Sequence, residues 1–371
     1  MRITTADGST AIHVAVLAVA LLLGCAASGS EQPATPDTLL RTTRTYRMGF
    51  SPFPPRVTVA EVLRTIDLVS QHGDAALRVV DVPWAALLAD TSASLLVRRE
   101  HLGVATLFQQ RGMPLVVTIE PANGIDRSAE APALVALGRS ITEPAVQRVY
   151  REYVVAFDSI IHPASLGLAM ETNLIRATAR PAVYDAMVKM ANDAARQLRA
   201  AGSTTKLSVS VQVETAWGRL GGPTGAYVGV QRDRADFPFI EMLGLSSYPY
   251  LSGFTAPEQI PLDYYARLTS GAPLPMMVVE GGWTSGSVTG ATSSPDLQAR
   301  YIRRQMQLAD EARLLGVFQI TFTDLDLATF DLPAGSILPL FAQLGLVDAS
   351  YRAKPALAVW DSVRAVPFAE R

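Results

Sequence analysis

From Tyr46 onward, short apolar and β-branched runs recur along the chain, separated by longer stretches in which apolar residues return at helical spacing. Eight runs stand out: YRMGF (46–50), AALRVV (75–80), LVVTIE (115–120), LGLAME (166–171), LSVSVQV (207–213), MLGLSSY (242–248), MMVVEGG (276–282) and VFQITFT (317–323). Runs of this kind, alternating with helical stretches, predict parallel strands covered by helices. Helix signals fall between them. Thr58 and Glu61 form a capping box, with Gly73 closing that helix; Pro181 opens a helix that stops at Gly202; Ser294 and Pro295 open one that ends at Gly316. Residues 222–236 are too rich in glycine and charge for a clear helix. Eight strands with helices between most of them predict an α/β fold, a single-domain (β/α)8 TIM barrel over residues 45–371.

The first 44 residues carry a different pattern. Arg2 precedes an apolar run from Ala11 to Leu23, which meets Gly24 and Cys25, the layout of a signal peptide over 1–24. Leu22-Leu23-Gly24-Cys25 resembles the bacterial lipobox, and Cys25 is the sole cysteine, so no internal disulfide forms. The expectation is an exported protein, lipid-anchored at Cys25 in the bacterial cell envelope, with 25–44 as a flexible tether rich in Ser, Thr, Ala and Pro. The apolar run is shorter than the ~20 residues that span a bilayer.

Composition narrows the chemistry. With 49% hydrophobic and 18% charged residues, the chain is core-rich and globular. A net charge of -2 and only three lysines argue against a nucleic-acid partner. Beyond the leader, His72, His101 and His162 all fall away from strand C-termini, which disfavours His-based metal sites and Ser-His-Asp catalysis. No lysine ends a strand at the catalytic face, so Schiff-base chemistry is disfavoured too. No phosphate-binding glycine motif appears. No cofactor and no metal is expected, and the molecule is expected to be a monomer.

In a (β/α)8 enzyme the active site lies at the C-terminal ends of the strands. Those ends carry Arg78, Asp81 and Trp84; Glu120 and Asn123; Glu171 and Asn173; Gln212, Glu214 and Trp217; Tyr248 and Tyr250; Glu280 and Trp283; Asp324 and Asp326. Carboxylates are the chemistry available, and two of them suffice to hydrolyse a glycosidic bond. Two other readings remain open on these residues: a carbohydrate-binding surface lipoprotein without catalysis, and an enzyme with a metal held by carboxylates alone.

The segments LGLAMETN (166–173) and MMVVEGGW (276–283) resemble the acid/base strand and the nucleophile strand of the clan A barrel glycosidases. LRVVDVPW (77–84), LSSYPY (245–250) and the closing segment GLVDASYRAKPALAVW (345–360) agree with that family, nearest to the endo-β-1,4-galactanases and the family-five cellulase and mannanase group. The resemblance implies a retaining glycoside hydrolase with a carbohydrate substrate, Glu171 as acid/base and Glu280 as nucleophile. It further implies that Arg78 and Tyr248 support Glu280. Glu120, Asn173, Gln212, Tyr250, Asp324 and the broad faces of Trp84, Trp217 and Trp283 are expected to bind or support the sugar. Two positions depart from the family. Met170 stands where an Asn usually precedes the acid/base, and Thr321-Phe322-Thr323-Asp324 stands where strand eight often ends in Trp.

Overall fold

The computed structural model describes residues 43–221, 225–332 and 335–370. The leader, Cys25 and most of the tether lie outside the described residues. Eight parallel strands close into a barrel in sequence order: β1 (Arg47–Phe50), β2 (Ala75–Asp81), β3 (Leu115–Glu120), β4 (Ser165–Gly167), β5 (Lys206–Gln212), β6 (Met242–Ser247), β7 (Met276–Gly281) and β8 (Gly316–Gln319). The seam between β8 and β1 is held by four consecutive pairs, from Arg47 opposite Gly316 to Phe50 opposite Gln319. This is the (β/α)8 TIM barrel expected from the alternation of runs.

The covering helices are α1 (Val59–His72), α2 (Trp84–Leu88), α3 (Ala93–Val97), α4 (Gly103–Gln110), α5 (Pro132–Ala136), α6 (Pro144–Ile161), α7 (Thr172–Thr178), α8 (Pro181–Ala200), α9 (Val213–Ala216), α10 (Gln231–Asp236), α11 (Pro295–Glu311) and α12 (Pro355–Arg364). Their starts follow from local chemistry. Thr58 accepts from the Glu61 amide at the head of α1, and Ser294 accepts from the Leu297 amide at the head of α11. Proline opens α5, α6, α8, α11 and α12, where its missing N–H is not needed. Between β5 and β6 the helical elements shrink to the short α9 and the single turn and a half of α10, in keeping with the glycine- and charge-rich stretch there. Among the described residues no helix is long and apolar enough to cross a membrane.

Two apolar layers result. The larger lies between barrel and helices and includes Leu166, Leu243, Leu245, Val278, Phe322 and Trp360. The smaller fills the barrel interior: Ala75, Leu77, Val116, Met242, Met277, Val279 and Phe318. The Phe318 ring occupies space that glycine leaves free. A Cβ on Gly49 would lie 2.8 Å from that ring and 2.1 Å from the Ala75 carbonyl oxygen.

Candidate active site

The interior layer fixes which side chains reach the mouth of the barrel, because alternate residues of a strand share a face. In β2, Ala75 and Leu77 point inward, so Asp81 does as well, opposite Glu120 of β3. Arg78 is out of phase with them and faces the helix layer. There its Nη2 lies 3.4 Å from Nδ1 of His101, whose Nε2 is 3.0 Å from the Tyr153 hydroxyl. Burial and the Arg78 charge push His101 down to about 4. The expected support of Glu280 by Arg78 is therefore corrected: strand parity sends this guanidinium to the far side of the sheet.

β7 reaches the mouth differently. Leu245 pairs with Val278 but Ser246 pairs with Glu280, so Val279 is an extra residue in a β-bulge. The bulge puts two consecutive side chains, Val279 and Glu280, on the interior face. Tyr248, in phase with Met242 of β6, then donates its hydroxyl to Glu280 Oε1 at 2.7 Å. The expected Tyr248 contact is present.

β4 is the shortest strand and leaves its ladder after Gly167. Its continuation still leans on β5, through Leu168 N to Ser208 O at 2.9 Å and Ser210 N to Ala169 O at 3.0 Å. Glu171 then turns into the left-handed region, with φ 46° and ψ 45°, as the residue that begins α7. A non-glycine residue there stores backbone strain, held in this case by the bond from Glu171 N to Ser210 Oγ at 2.9 Å. Asn173 is spent on the same joint: its amide donates to Gln212 O and accepts from Gln212 N, both at 2.8 Å.

The cation at the mouth is Arg127, from the loop after β3. Asn123 Oδ1 accepts from the amides of Ile125 and Asp126, and Asp126 Oδ1 accepts from the amide of Ser128, two tight side-chain turns that aim Arg127 inward. Its Nε donates to Glu171 Oε2 at 2.7 Å, its Nη1 donates to Glu120 Oε2, and the same Nη1 lies 3.3 Å from Asn123 O. All three side chains are buried. Burial opposes the charge of Arg127, but Glu120, Glu171 and Glu280 together raise its pKa. Burial raises Glu120 despite Arg127, and burial raises Asp81 despite the same cation. Glu280 is raised to about 7 by burial first and by the Glu171 charge second, against Arg127 and the Tyr248 hydrogen bond. One guanidinium thus serves several carboxyl groups. Sequence reading missed it. The available signal was an arginine seven residues beyond the strand-three Glu120, in a loop whose Asn and Gly mark a turn.

Several expected sugar-binding residues are occupied within the protein. Trp84 is buried in the core and stacks on Tyr150. Trp283 is buried between Tyr250 and Tyr301 with its indole N–H on Ser293 Oγ, and the Tyr250 hydroxyl donates to Leu340 O. Neither tryptophan offers a free face, so both expectations are corrected. Trp217 is half-buried, with Arg267 over its ring and Tyr264 stacked beside it. Gln212 caps α9 and donates to Glu214 Oε2 at 2.6 Å. Glu214 also accepts from Ser247, Tyr264 and the Tyr248 amide, which makes it a buried anchor under Tyr248. Asp324 is paired with Lys354. The exposed aromatic surface comes from Phe53, which follows β1 and is 44% exposed, stacked on Phe330 in the loop after β8. Among the described residues no group of three or more His, Cys, Asp or Glu is placed to hold a metal ion.

By sequence, no protein-family model and no curated protein matches the chain. By structure, the chain is similar to solved barrel glycosidases. An exo-β-1,4-mannosidase from Opitutaceae bacterium strain TAV5 superposes with TM-score 0.64 at 17% identity, over 87% of this chain and 60% of that one. A GH5_18 protein from Streptomyces cattleya in complex with Manβ1-4GlcNAc gives 0.60 at 18% identity, over 86% and 80%. A β-glucosidase from Exiguobacterium marinum gives 0.61 at 10% identity, over 86% and 97%. At these identities the likeness establishes the fold. The chain spans three fifths of the length of the mannosidase.

Proposed function

We propose that the chain is a glycoside hydrolase that cleaves β-glycosidic bonds with retention, using Glu171 and Glu280. The observation that carries this reading is the convergence of the two carboxyl groups, from the β4–α7 joint and from β7, on one buried charge network at the C-terminal mouth of the barrel. The solved neighbours are glycosidases on the same fold, which supports the reaction class. In the reaction, Glu171 gives its proton to the glycosidic oxygen as the C1–O bond breaks, and Glu280 attacks C1 to form an ester. Glu171 then takes a proton from water, the water oxygen attacks C1, and Glu280 is released as carboxylate. Tyr248 holds the attacking carboxylate, and the Phe53–Phe330 edge offers an apolar face to a sugar ring.

The test compares release of reducing sugar from β-mannan, β-glucan, galactan and xylan by the wild type and by Glu280→Gln, with the anomer of the first product read by proton NMR. Cleavage by the wild type alone, with retention, is expected. Binding without cleavage supports instead a carbohydrate-binding protein, a reading favoured by the buried Met170 where the family has an amide. The lipobox supports the further proposal of an envelope lipoprotein anchored at Cys25. Partition of the expressed protein into detergent, lost in Cys25→Ala, is the expected result.

A further inference from the structure

Glu171 and Glu280 sit in unequal surroundings. Glu171 receives a guanidinium N–H at 2.7 Å, whereas the hydrogen bond that reaches Glu280 comes from the neutral Tyr248 hydroxyl at the same distance. The groups facing Glu280 are Glu171 from the β4–α7 joint, Glu120 and Arg127 from β3 and its loop, and Tyr248 from β6. Arg127 is the one cation among them, and it touches Glu171. Where two neighbouring carboxyls cannot both ionise, the one without the cation keeps the proton.

We infer that Arg127 is a positioning residue that places the charge of the pair on Glu171 and the resting proton on Glu280, and that it must release Glu171 before that residue can act as the acid. The second half rests on the hydrolase reading; the first does not. The distribution is the reverse of what retention requires at the moment of bond cleavage. The release needs only one contact to break, because Nη1 of Arg127 stays on Glu120 while Nε leaves Glu171. Glu280 then gives its proton to solvent and Glu171 takes one from solvent, which leaves Glu280 as the attacking carboxylate and Glu171 as the donor. No other reactant is consumed. The upward displacement of Glu280, caused by burial and by the Glu171 charge, agrees with this arrangement.

The experiment follows glutamate carboxyl resonances, labelled with 13C at Cδ, in the full chain as pH is raised through neutrality. One carboxyl is expected to titrate near neutral pH, to vanish in Glu280→Gln and to move to lower pH in Glu171→Gln, where the negative neighbour is gone. A neutral titration that vanishes in Glu171→Gln and survives in Glu280→Gln overturns the assignment. Arg127→Met, checked for folding by its thermal melt, is expected to raise the alkaline limb of kcat/KM by about one pH unit, since the pair keeps its last proton longer without the cation. Arg127→Lys retains the charge and is expected to restore the limb. An unmoved limb in folded Arg127→Met overturns the positioning role. Should Arg127→Met fail to fold, Glu120→Gln reads the same network from the other side: removing that negative charge is expected to lower the neutral titration, and an unchanged or raised one overturns the proposal. If the titration belongs to Glu280 but no glycoside is hydrolysed, the charge assignment stands and the hydrolase reading falls.

Discussion

At the residue scale, a carboxyl with a folded-state pKa above its unfolded value stabilises the fold only while it is protonated. For Glu280 that contribution is complete below 4.5 and is lost as pH rises through about 7. Glu280→Gln cannot ionise, so its melting temperature should exceed the wild type's by about 2–4 °C above neutrality and match it near pH 4. Equal melts at both pH values would refute this. Tyr248→Phe keeps the ring contacts with Phe341 and Tyr250 but removes the hydrogen bond to Glu280. It should lower kcat by about 10- to 100-fold with little change in melting, measured on whichever glycoside is cleaved. That Glu171, Glu280 and Tyr248 lie at the mouth of the barrel was legible, because each ends an apolar run. The cation was not. Arg78 occupies the family's position in sequence, yet strand phase turns it to the helix layer, and Arg127 depends on two side-chain turns that no apolar pattern announces.

At the scale of elements, strand positions were legible to within a few residues because burial on both faces writes itself as an apolar run. The exceptions are physical. Strand four was expected to run to Glu171 but its regular pairing ends at Gly167; Leu168 and Ala169 keep one bond each to β5 before the left-handed turn at Glu171. The bulge at Val279 was invisible, since one extra apolar residue in an apolar run changes no pattern while it changes which face Glu280 takes. The tight approach of β1 to β2 gives a direct test. Gly49→Ala places a methyl against the Ala75 carbonyl, a backbone atom that cannot give way as a side chain can. A loss of about 2–3 kcal/mol in denaturant unfolding is expected, and Phe318→Leu in the same chain should not rescue it.

At the scale of the whole molecule, the last segment of the chain locks the end of the barrel to its start. Gly345 donates to Asp324, and Lys354 Nζ reaches Asp324 Oδ1 at 2.5 Å and Gly345 O at 2.8 Å. Trp360 of α12 packs on Phe50 of β1 and donates to His72 O at 2.7 Å. The resemblance of residues 345–360 to a family closing segment therefore has a mechanical counterpart. Removing one partner of a buried pair leaves the other charge uncompensated. Lys354→Met is expected to cost about 3 kcal/mol at mildly alkaline pH. Burial already raises Asp324 to about 6, so below that pH the acid is neutral and the cost should shrink. A penalty independent of pH would show that packing of the lysine stem, rather than its charge, is what is lost.

The burial of Arg127 together with Glu120 and Glu171 has a consequence for the conditions under which the protein works. Dissolved ions screen charges that face water and act far less on charges that do not. A site tuned by surface charges would drift with ionic strength. Here the protonation of the pair should answer to acidity alone, with the same neutral titration in dilute buffer and in about 0.5 M salt.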